Sequence, residues 1–456
     1  MTTIKLDPGA ALLLDALHGA GHAAYAVGGC VRDSLLGLDP HDWDLCTSAR
    51  PEQVMALFGE EKCIPTGLQH GTVTVKQGGR LYETTTFRTE GAYSDGRHPD
   101  AVCFVPDVRE DLARRDFTIN AMAYSAEEGL IDPFGGRDDL AAHLVRAVGE
   151  PERRFEEDAL RILRLYRFAA RFGFAIDPAT GAAARALGPH LDCVSAERIQ
   201  EELLKLLAAP RPGSYLEPAV LAVVLPELEP EKQPERFAEL CRTIDRIEPT
   251  AENVPARLAA LLCPLGEAGA RKALRKLKCS NALTDEVTAL VGGSVGSFLL
   301  PRSRDRWAGS SSEDRPLGWD PAAAGSRAGD GMARTVSEEE APGTPGSEMT
   351  LTAKRLLGRY ELPTVQRLTA LCSARHPEQA EAFAALRAET ERLTAENACC
   401  RVSQLAVNGR DLMAAGVRPG PGLRQVLNAL LEAVITGQTP NEKDALLAAA
   451  AQFSAS

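Results

Sequence analysis

The sequence predicts an α+β protein, with a mixed sheet-and-helix head in its first third and an all-helical remainder. Three observations carry this. Alternating β-branched runs flank the Gly78-Gly79 pair of KCIPTGLQHGTVTVKQGGRLYETTTFRT, the pattern of a hairpin. From Pro151 onward the apolar spacing is helical and strand signals cease. At 456 residues the chain has room for about two to four domains.

The elements follow in order. MTTIKLDPGAALLLDALHGAG reads as an amphipathic helix and lacks the basic start and cleavage site of a signal peptide. No apolar run reaches the roughly 18 residues of a membrane helix, so no membrane partner and a cytoplasmic setting are expected. AAYAV is a short apolar strand ending at Gly28-Gly29, and LYETTTFR is a second strand. PERRFEEDALRILRLYRFAARF reads as one long helix opened by Pro151 and stopped by Gly173. SAERIQEELLKLL is a further helix with Ser195 as its N-cap. Residues 301–350 are rich in Gly, Ser, Pro and charge and poor in apolar side chains, and are expected to be disordered. Helical signals resume at TAKRLLGRY and run to the end.

The net charge of −12 argues against broad nucleic-acid binding, yet residues 153–171 carry Arg153, Arg154, Arg161, Arg164, Arg167 and Arg171, with Arg146 just upstream. An acidic protein with one basic track can bind RNA along it. The eleven cysteines are irregularly spaced without a C-x-x-C pair, which excludes a zinc or disulfide framework and leaves free buried thiols. His18 and His22 read as surface histidines, and His41-Asp42 lacks the further ligands of a metal phosphohydrolase.

The chemical centre is YAVGGCVRD followed by DPHDWDL. Asp42 and Asp44 are two apart, so on a strand both project from one face. Paired carboxylates can hold divalent metals for in-line displacement at phosphorus, and Mg²⁺ needs few protein carboxylates beside substrate phosphates. Glu83 is a third candidate. Gly28 and Gly29 would let the backbone approach triphosphate oxygens. An apolar strand, Gly-Gly, twelve residues and then D-W-D resembles the signature of the polymerase-β-like nucleotidyltransferase superfamily.

The motifs that follow narrow this. RRDFTINAMAY, DPFGGRDDL, EDALRILRLYRFAARFGF and SAERIQEELLKLL succeed GGCVRDSLLG and HDWDL in the order of the class II tRNA nucleotidyltransferase and bacterial poly(A) polymerase family, which the chain resembles over most of residues 20–210 and again near 405–446. The resemblance implies a head (1–145), a helical neck that recognises the nucleotide (146–210), a helical body (211–300), an insertion or linker (301–350) and a body/tail that binds tRNA (351–456), as a monomer or homodimer. It implies template-independent addition of C, C and A to the tRNA 3′ end from CTP and ATP with Mg²⁺. Asp42, Asp44 and Glu83 would be catalytic, the first two holding metal. Arg32 would pair with phosphate, with Asp33 orienting it. Arg115, Asp116 and Asn120 would hold triphosphate and ribose. Asp158 and Arg161, i and i+3 on one helix, would read the base, since cytosine and adenine both show an amine donor beside a ring acceptor. Arg164 and Arg167 would contact nucleotide or RNA.

Poly(A) addition, or A addition alone, is the rival within the family. TGLQHGTVTV after D-W-D is the pattern of CCA-adding members, and FRTEGAYSDGRHPDAVCFVPDVREDLARRDFT retains the loop that CC-only members lack. Thr84 stands where close relatives usually carry an apolar residue after the Glu. Arg418 and Arg424 flank a Gly/Pro-rich turn that is either a plain helix–loop–helix or a contact for an RNA phosphate.

Overall fold

A computed structural model describes residues 3–91, 102–295 and 348–453. The proposed disordered stretch and the tip of the retained loop lie largely outside the described residues, although Glu348–Arg359 is a helix that takes in the last three positions of the former. The chain divides into two compact units, one of residues 1–254 with 272–280 and the other of residues 255–271 with 281–456.

The first unit begins with α1 (Pro8–Gly19), whose N-terminus is capped by Asp7 accepting from the N–H groups of Gly9 and Ala10. Strand β1 (Ala24–Val27) is buried throughout and runs into α2 (Gly29–Leu35). Next come β2 (Leu45–Thr47), α3 (Pro51–Phe58), β3 (Cys63–Gly67), β4 (Thr72–Gln77) and β5 (Arg80–Thr86). A small hairpin of β6 (Arg88–Glu90) and β7 (Val102–Phe104) follows, then α4 (Val108–Ala113), β8 (Ala123–Ser125), β9 (Gly129–Ile131) and α5 (Gly136–Ala141). Seven strands form one mixed sheet in the order β3-β4-β5-β2-β1-β8-β9. All its pairings are antiparallel except β2 with β5, where Leu45 stands opposite Thr84. The β4–β5 turn is the expected one: Gly78 and Gly79 both take positive φ, 58° and 80°, as a two-residue hairpin turn requires. Tyr25, Val27, Cys46, Phe87, Leu112 and Ala123 belong to one buried cluster against this sheet.

Helices follow: α6 (Pro151–Glu157), α7 (Leu160–Phe172), α8 (Pro178–Ala186) and α9 (Ala196–Leu207). The expected single helix over PERRFEEDALRILRLYRFAARF is therefore two. At Asp158 the backbone is extended (φ −148°, ψ 102°), and the Asp158 carboxylate accepts from the N–H of Leu160 at 3.1 Å. A short acidic side chain that bonds its own downstream backbone offers an alternative to helix continuation, and here it breaks one helix and starts the next. Gly173 ends α7 in the left-handed conformation, as expected. Ser195 sits at the N-cap of α9, but its side chain makes no capping bond.

In the second unit Leu362–Arg375 and Ala380–Ala395 pack together, and the tail helices Gly409–Ala414, Pro421–Ile435 and Lys443–Phe453 close on Leu412, Val426, Leu430 and Leu446. The Gly/Pro-rich turn opens Pro421–Ile435. No helix among the described residues is long and apolar enough to cross a membrane. All eleven cysteines are free, but only five are buried as expected: Cys241, Cys263, Cys279 and Cys399 are half-buried, and Cys103 and Cys193 are exposed. His18 is no surface histidine either; its side chain is 13% exposed and its Nε2 lies 2.8 Å from the carbonyl of Ala24.

The unusual Thr84 is buried between β2 and β4, and its hydroxyl has no hydrogen-bond partner. A buried hydroxyl without a partner costs more than a methyl of the same shape. Thr84→Val is expected to stabilise the protein by about 1 kcal/mol, read as a higher midpoint of chemical unfolding; an equal or lower midpoint counts against it.

Candidate active site

Asp42 and Asp44 lie in extended chain immediately before β2, not within it. Trp43 between them is buried at 5% exposure, while both aspartates are exposed, so the alternation expected of a strand holds. The N–H of Val27 donates to the Asp44 carbonyl at 3.0 Å, fixing this segment beside the end of β1 and Gly28. Because Leu45 faces Thr84 in parallel register, Asp44 and Glu83 each precede a paired position on neighbouring strands. Among the described residues no three His, Cys, Asp or Glu side chains gather closely enough to hold a metal ion. The nearness of the acids shows as charge instead. Although Asp44 reaches solvent, the protein atoms crowded around its carboxyl, then Glu83, push it above its ordinary value; Arg115 opposes this and Asp42 adds to it.

Gly28 takes φ 78°, and a Cβ there would stand 2.8 Å from Nη1 of Arg115. Glycine is thus required twice, by backbone angle and by space. Arg115 is tethered to Asp111 at 3.5 Å, and its Nε is buried without a partner. The Arg115 guanidinium thus lies against the Gly28 backbone and near enough to Asp44 to oppose the rise of that carboxyl. Oxygen-only donors at Asp42 and Asp44 match the chemistry Mg²⁺ selects, and two protein carboxylates suffice when a substrate supplies further oxygens.

A second group ties the head to α7. Arg32 is 3% exposed; its Nε donates to Asp33 at 2.7 Å and its Nη1 to Oδ1 of Asn120. Asn120 in turn donates to Asp116 at 3.1 Å. Asp116 also accepts from its neighbour's N–H at Phe117 (2.8 Å) and from Nε and Nη2 of Arg164 at 2.9 and 2.7 Å. Burial would raise the Asp116 carboxyl, but Arg164 and Asn120 outweigh it and hold the group at about 2. Arg167 pairs with Glu202 of α9 at 2.6 Å, and Arg164 approaches the same carboxylate at 3.8 Å. The Arg32 guanidinium lies over the rings of Phe168 and Phe172, at 5.3 and 4.8 Å.

The side chains of Asp158 and Arg161 do not bond to each other, although the N–H of Arg161 donates to the Asp158 carbonyl at 3.0 Å. Arg161 donates to Glu157 at 2.9 Å and to the carbonyls of Arg154 and Arg114 at 3.2 and 3.0 Å. Asp158 instead accepts from Arg198 at 2.8 Å. The basic track is likewise not a bare cationic face. Arg146 pairs with Asp139, Arg153 and Arg154 with Glu157, and Arg171 with Asp33, alongside the pairs already described. Glu157, Arg198, Glu202 and Phe168 went unnoticed in the sequence. Only Glu157 carried a local signal, four residues before Arg161; the others meet their partners through tertiary packing.

The chain matches a model for the poly(A) polymerase head domain over residues 24–146, one for an RNA- and SrmB-binding site of polymerase A over residues 173–232, and one for tRNA nucleotidyltransferase domain 2 over residues 359–450. It is 34% identical to a CCA-adding enzyme of Lactobacillus helveticus, covering 95% of this chain and 94% of that one. It is 34% identical to a CCA-adding enzyme of Geobacillus stearothermophilus, covering 96% and 94%. Its structure is similar to that of the Bacillus stearothermophilus CCA-adding enzyme in complex with CTP, with a TM-score of 0.74 and 31% identity over 98% of both chains.

The depressed Asp116 carboxyl sets a pH dependence. Its folded value of about 2 lies below the ordinary 3.8, so its stabilisation is complete above the higher value and fades as pH falls through the lower. Asp116→Asn is expected to lose about 2 kcal/mol near neutral pH, with the gap from the parent closing between about pH 4 and 2. Unfolding by denaturant across that range tests it; a gap independent of pH would overturn the assignment.

Proposed function

This chain belongs to the CCA-adding enzymes of the tRNA nucleotidyltransferase family, and from that membership we propose how its residues perform the reaction. The reaction is addition of C, C and A to the tRNA 3′ end from CTP and ATP, with release of pyrophosphate. The proposed setting is the cytoplasm. The observation that carries the residue assignment is the close approach of Arg115 to the Gly28 backbone, with Asp42, Asp44 and Glu83 near enough to feel one another's charge.

Asp42 and Asp44 would hold Mg²⁺, with Glu83 adjacent; bound there, the metal would polarise the α-phosphate, lower the pKa of the attacking 3′-hydroxyl and offset charge on the departing pyrophosphate. Arg115 would direct its guanidinium to a triphosphate oxygen beside Gly28 and Gly29. Arg32, clamped by Asp33 and Asn120, would present a fixed guanidinium to phosphate. Asp116 and Asn120 would hold ribose. Asp158 and Arg161 would read the amine-and-acceptor edge shared by cytosine and adenine, with Arg164 and Arg167 lining the nucleotide or RNA end. Each of the last four is held by protein groups before substrate arrives, so discrimination would rest on preset directions. Residues 1–145 would serve as catalytic head, 146–210 as nucleotide-recognising neck, and the later helices as body and tail for tRNA, with 301–350 between them.

The reading is tested with tRNA ending at its discriminator base, labelled CTP and ATP, and Mg²⁺. A product that stops after C-C-A is expected; a long A tract, or A without C, would point to the rival reactions. Asp42→Ala is expected to abolish incorporation while leaving tRNA Kd unchanged, and normal turnover in that variant refutes the metal assignment. Changing Arg161 is expected to relax the preference for CTP and ATP over UTP and GTP more than it weakens tRNA binding.

A further inference from the structure

We propose that Lys76 and Leu81, opposite each other on β4 and β5, form a track for the RNA strand that ends in the attacking 3′-hydroxyl. Lys76 takes the last phosphodiester, and Leu81 packs against the base of the penultimate nucleotide. The inference rests on the catalytic place given above to Glu83, beside the reacting hydroxyl.

Alternation along the strands divides this part of the sheet into two faces. Val73, Val75, Tyr82 and Thr84 are buried on one of them, where the Tyr82 hydroxyl donates to Asp7 at the start of α1. On the other, the register sets Thr74 opposite Glu83 and Lys76 opposite Leu81. Leu81 is 61% exposed, more than any other large apolar side chain among the described residues. Lys76 is exposed, and no carboxylate pairs with it among the described residues. A lone exposed leucine is ordinary. This one has an unpaired ammonium directly across the ladder and a carboxylate two positions along its own strand.

Direction and length give this face its occupant. From Glu83 the strands run two ways. Toward Thr72 and Thr85 the face closes: the two hydroxyls bond each other at 3.0 Å, Thr85 is half-buried, and a Cβ on Gly71 would stand 2.7 Å from the Phe104 ring of β7. Toward the Gly78-Gly79 turn it stays open, through Lys76 and Leu81. Two strand residues span about 6.8 Å, comparable with one nucleotide of extended RNA backbone. A strand with its 3′-hydroxyl at Glu83 therefore brings its last phosphodiester to Lys76, whose flexible ammonium serves phosphate as a point charge. The base beyond it meets apolar surface at Leu81. Such a contact accepts any base, since every base has a flat π-face. That indifference suits an enzyme whose penultimate nucleotide changes from one addition to the next.

The test uses the full chain, ATP, and tRNA ending in C-C, whose penultimate nucleotide is a single-stranded C. Lys76→Gln, Leu81→Asn and Leu81→Ala are compared with the parent in KM for tRNA, KM for ATP and Tm. Leu81→Asn is expected to raise KM for tRNA about fivefold, and Leu81→Ala less, with KM for ATP and Tm unchanged. Lys76→Gln is expected to raise it about threefold and to lessen the slope of log KM against log salt by about 0.7. Removing the base of the penultimate nucleotide is expected to raise KM for the parent by a similar factor and to add nothing in Leu81→Asn. A KM for tRNA equal to the parent's in all three variants overturns the proposal, as does base removal that costs Leu81→Asn as much as it costs the parent. A fall in Tm with equal rises in both KM values is a structural effect and also counts against it. Glu83→Gln tests the premise and is expected to lower kcat while KM for tRNA holds. Normal kcat in Glu83→Gln removes Glu83 from the reacting hydroxyl and the track with it. A lost kcat there, beside Lys76 and Leu81 variants that match the parent, removes the track alone.

Discussion

The buried carboxylate of Asp116 is the junction on which the site depends. It receives Arg164 from α7, Asn120 from the segment before β8, and through Asn120 the guanidinium of Arg32 on α2. Three segments far apart in sequence are thereby registered against one another. A charge removed from water costs several kcal/mol unless its partners are well placed, so such a junction tolerates little displacement. Helix α7 cannot slide along the head without stripping partners from Asp116, nor can α2 tilt without pulling Arg32 from the rings of Phe168 and Phe172. The nucleotide-facing residues inherit their positions from this constraint.

What the sequence made legible was local. The turn at Gly78-Gly79, the alternation of Asp42, Trp43 and Asp44, and the stop at Gly173 each follow from a few adjacent residues and their allowed backbone angles. The break at Asp158 did not, because apolar periodicity runs through it uninterrupted. Periodicity reports which face is buried, and α6 and α7 bury faces that continue one another. The competition between a side-chain carboxylate and the next N–H groups leaves no periodic trace.

The arginines from Arg146 to Arg171 show a second limit. Counted along the chain they form a basic track, yet their carboxylates come from Asp33, Asp116, Asp139, Glu157 and Glu202, three of which precede the track and one of which follows it. Counting charge by segment treats each side chain as solvated. Burial instead demands compensation, and the fold supplies it from elsewhere in the sequence.

That compensation bears on how affinity and selection divide. An arginine already bonded to a carboxylate gains little net energy from a phosphate, because one charge-assisted bond replaces another. It gains direction, since the guanidinium is fixed before the ligand comes. Arg115 is held more loosely, by Asp111 at 3.5 Å, with its Nη1 against Gly28. A phosphate oxygen there would gain a charge-assisted bond at less cost to an existing pair, so more of that bond counts toward binding. On the proposed assignment the triphosphate would then be captured chiefly at the head by Arg115 and the glycines. The base would be judged against groups on α7 and its approaches that contribute little to affinity. Template-free polymerisation needs that separation, because two different bases must be held by the same triphosphate site while the edge they share is inspected elsewhere.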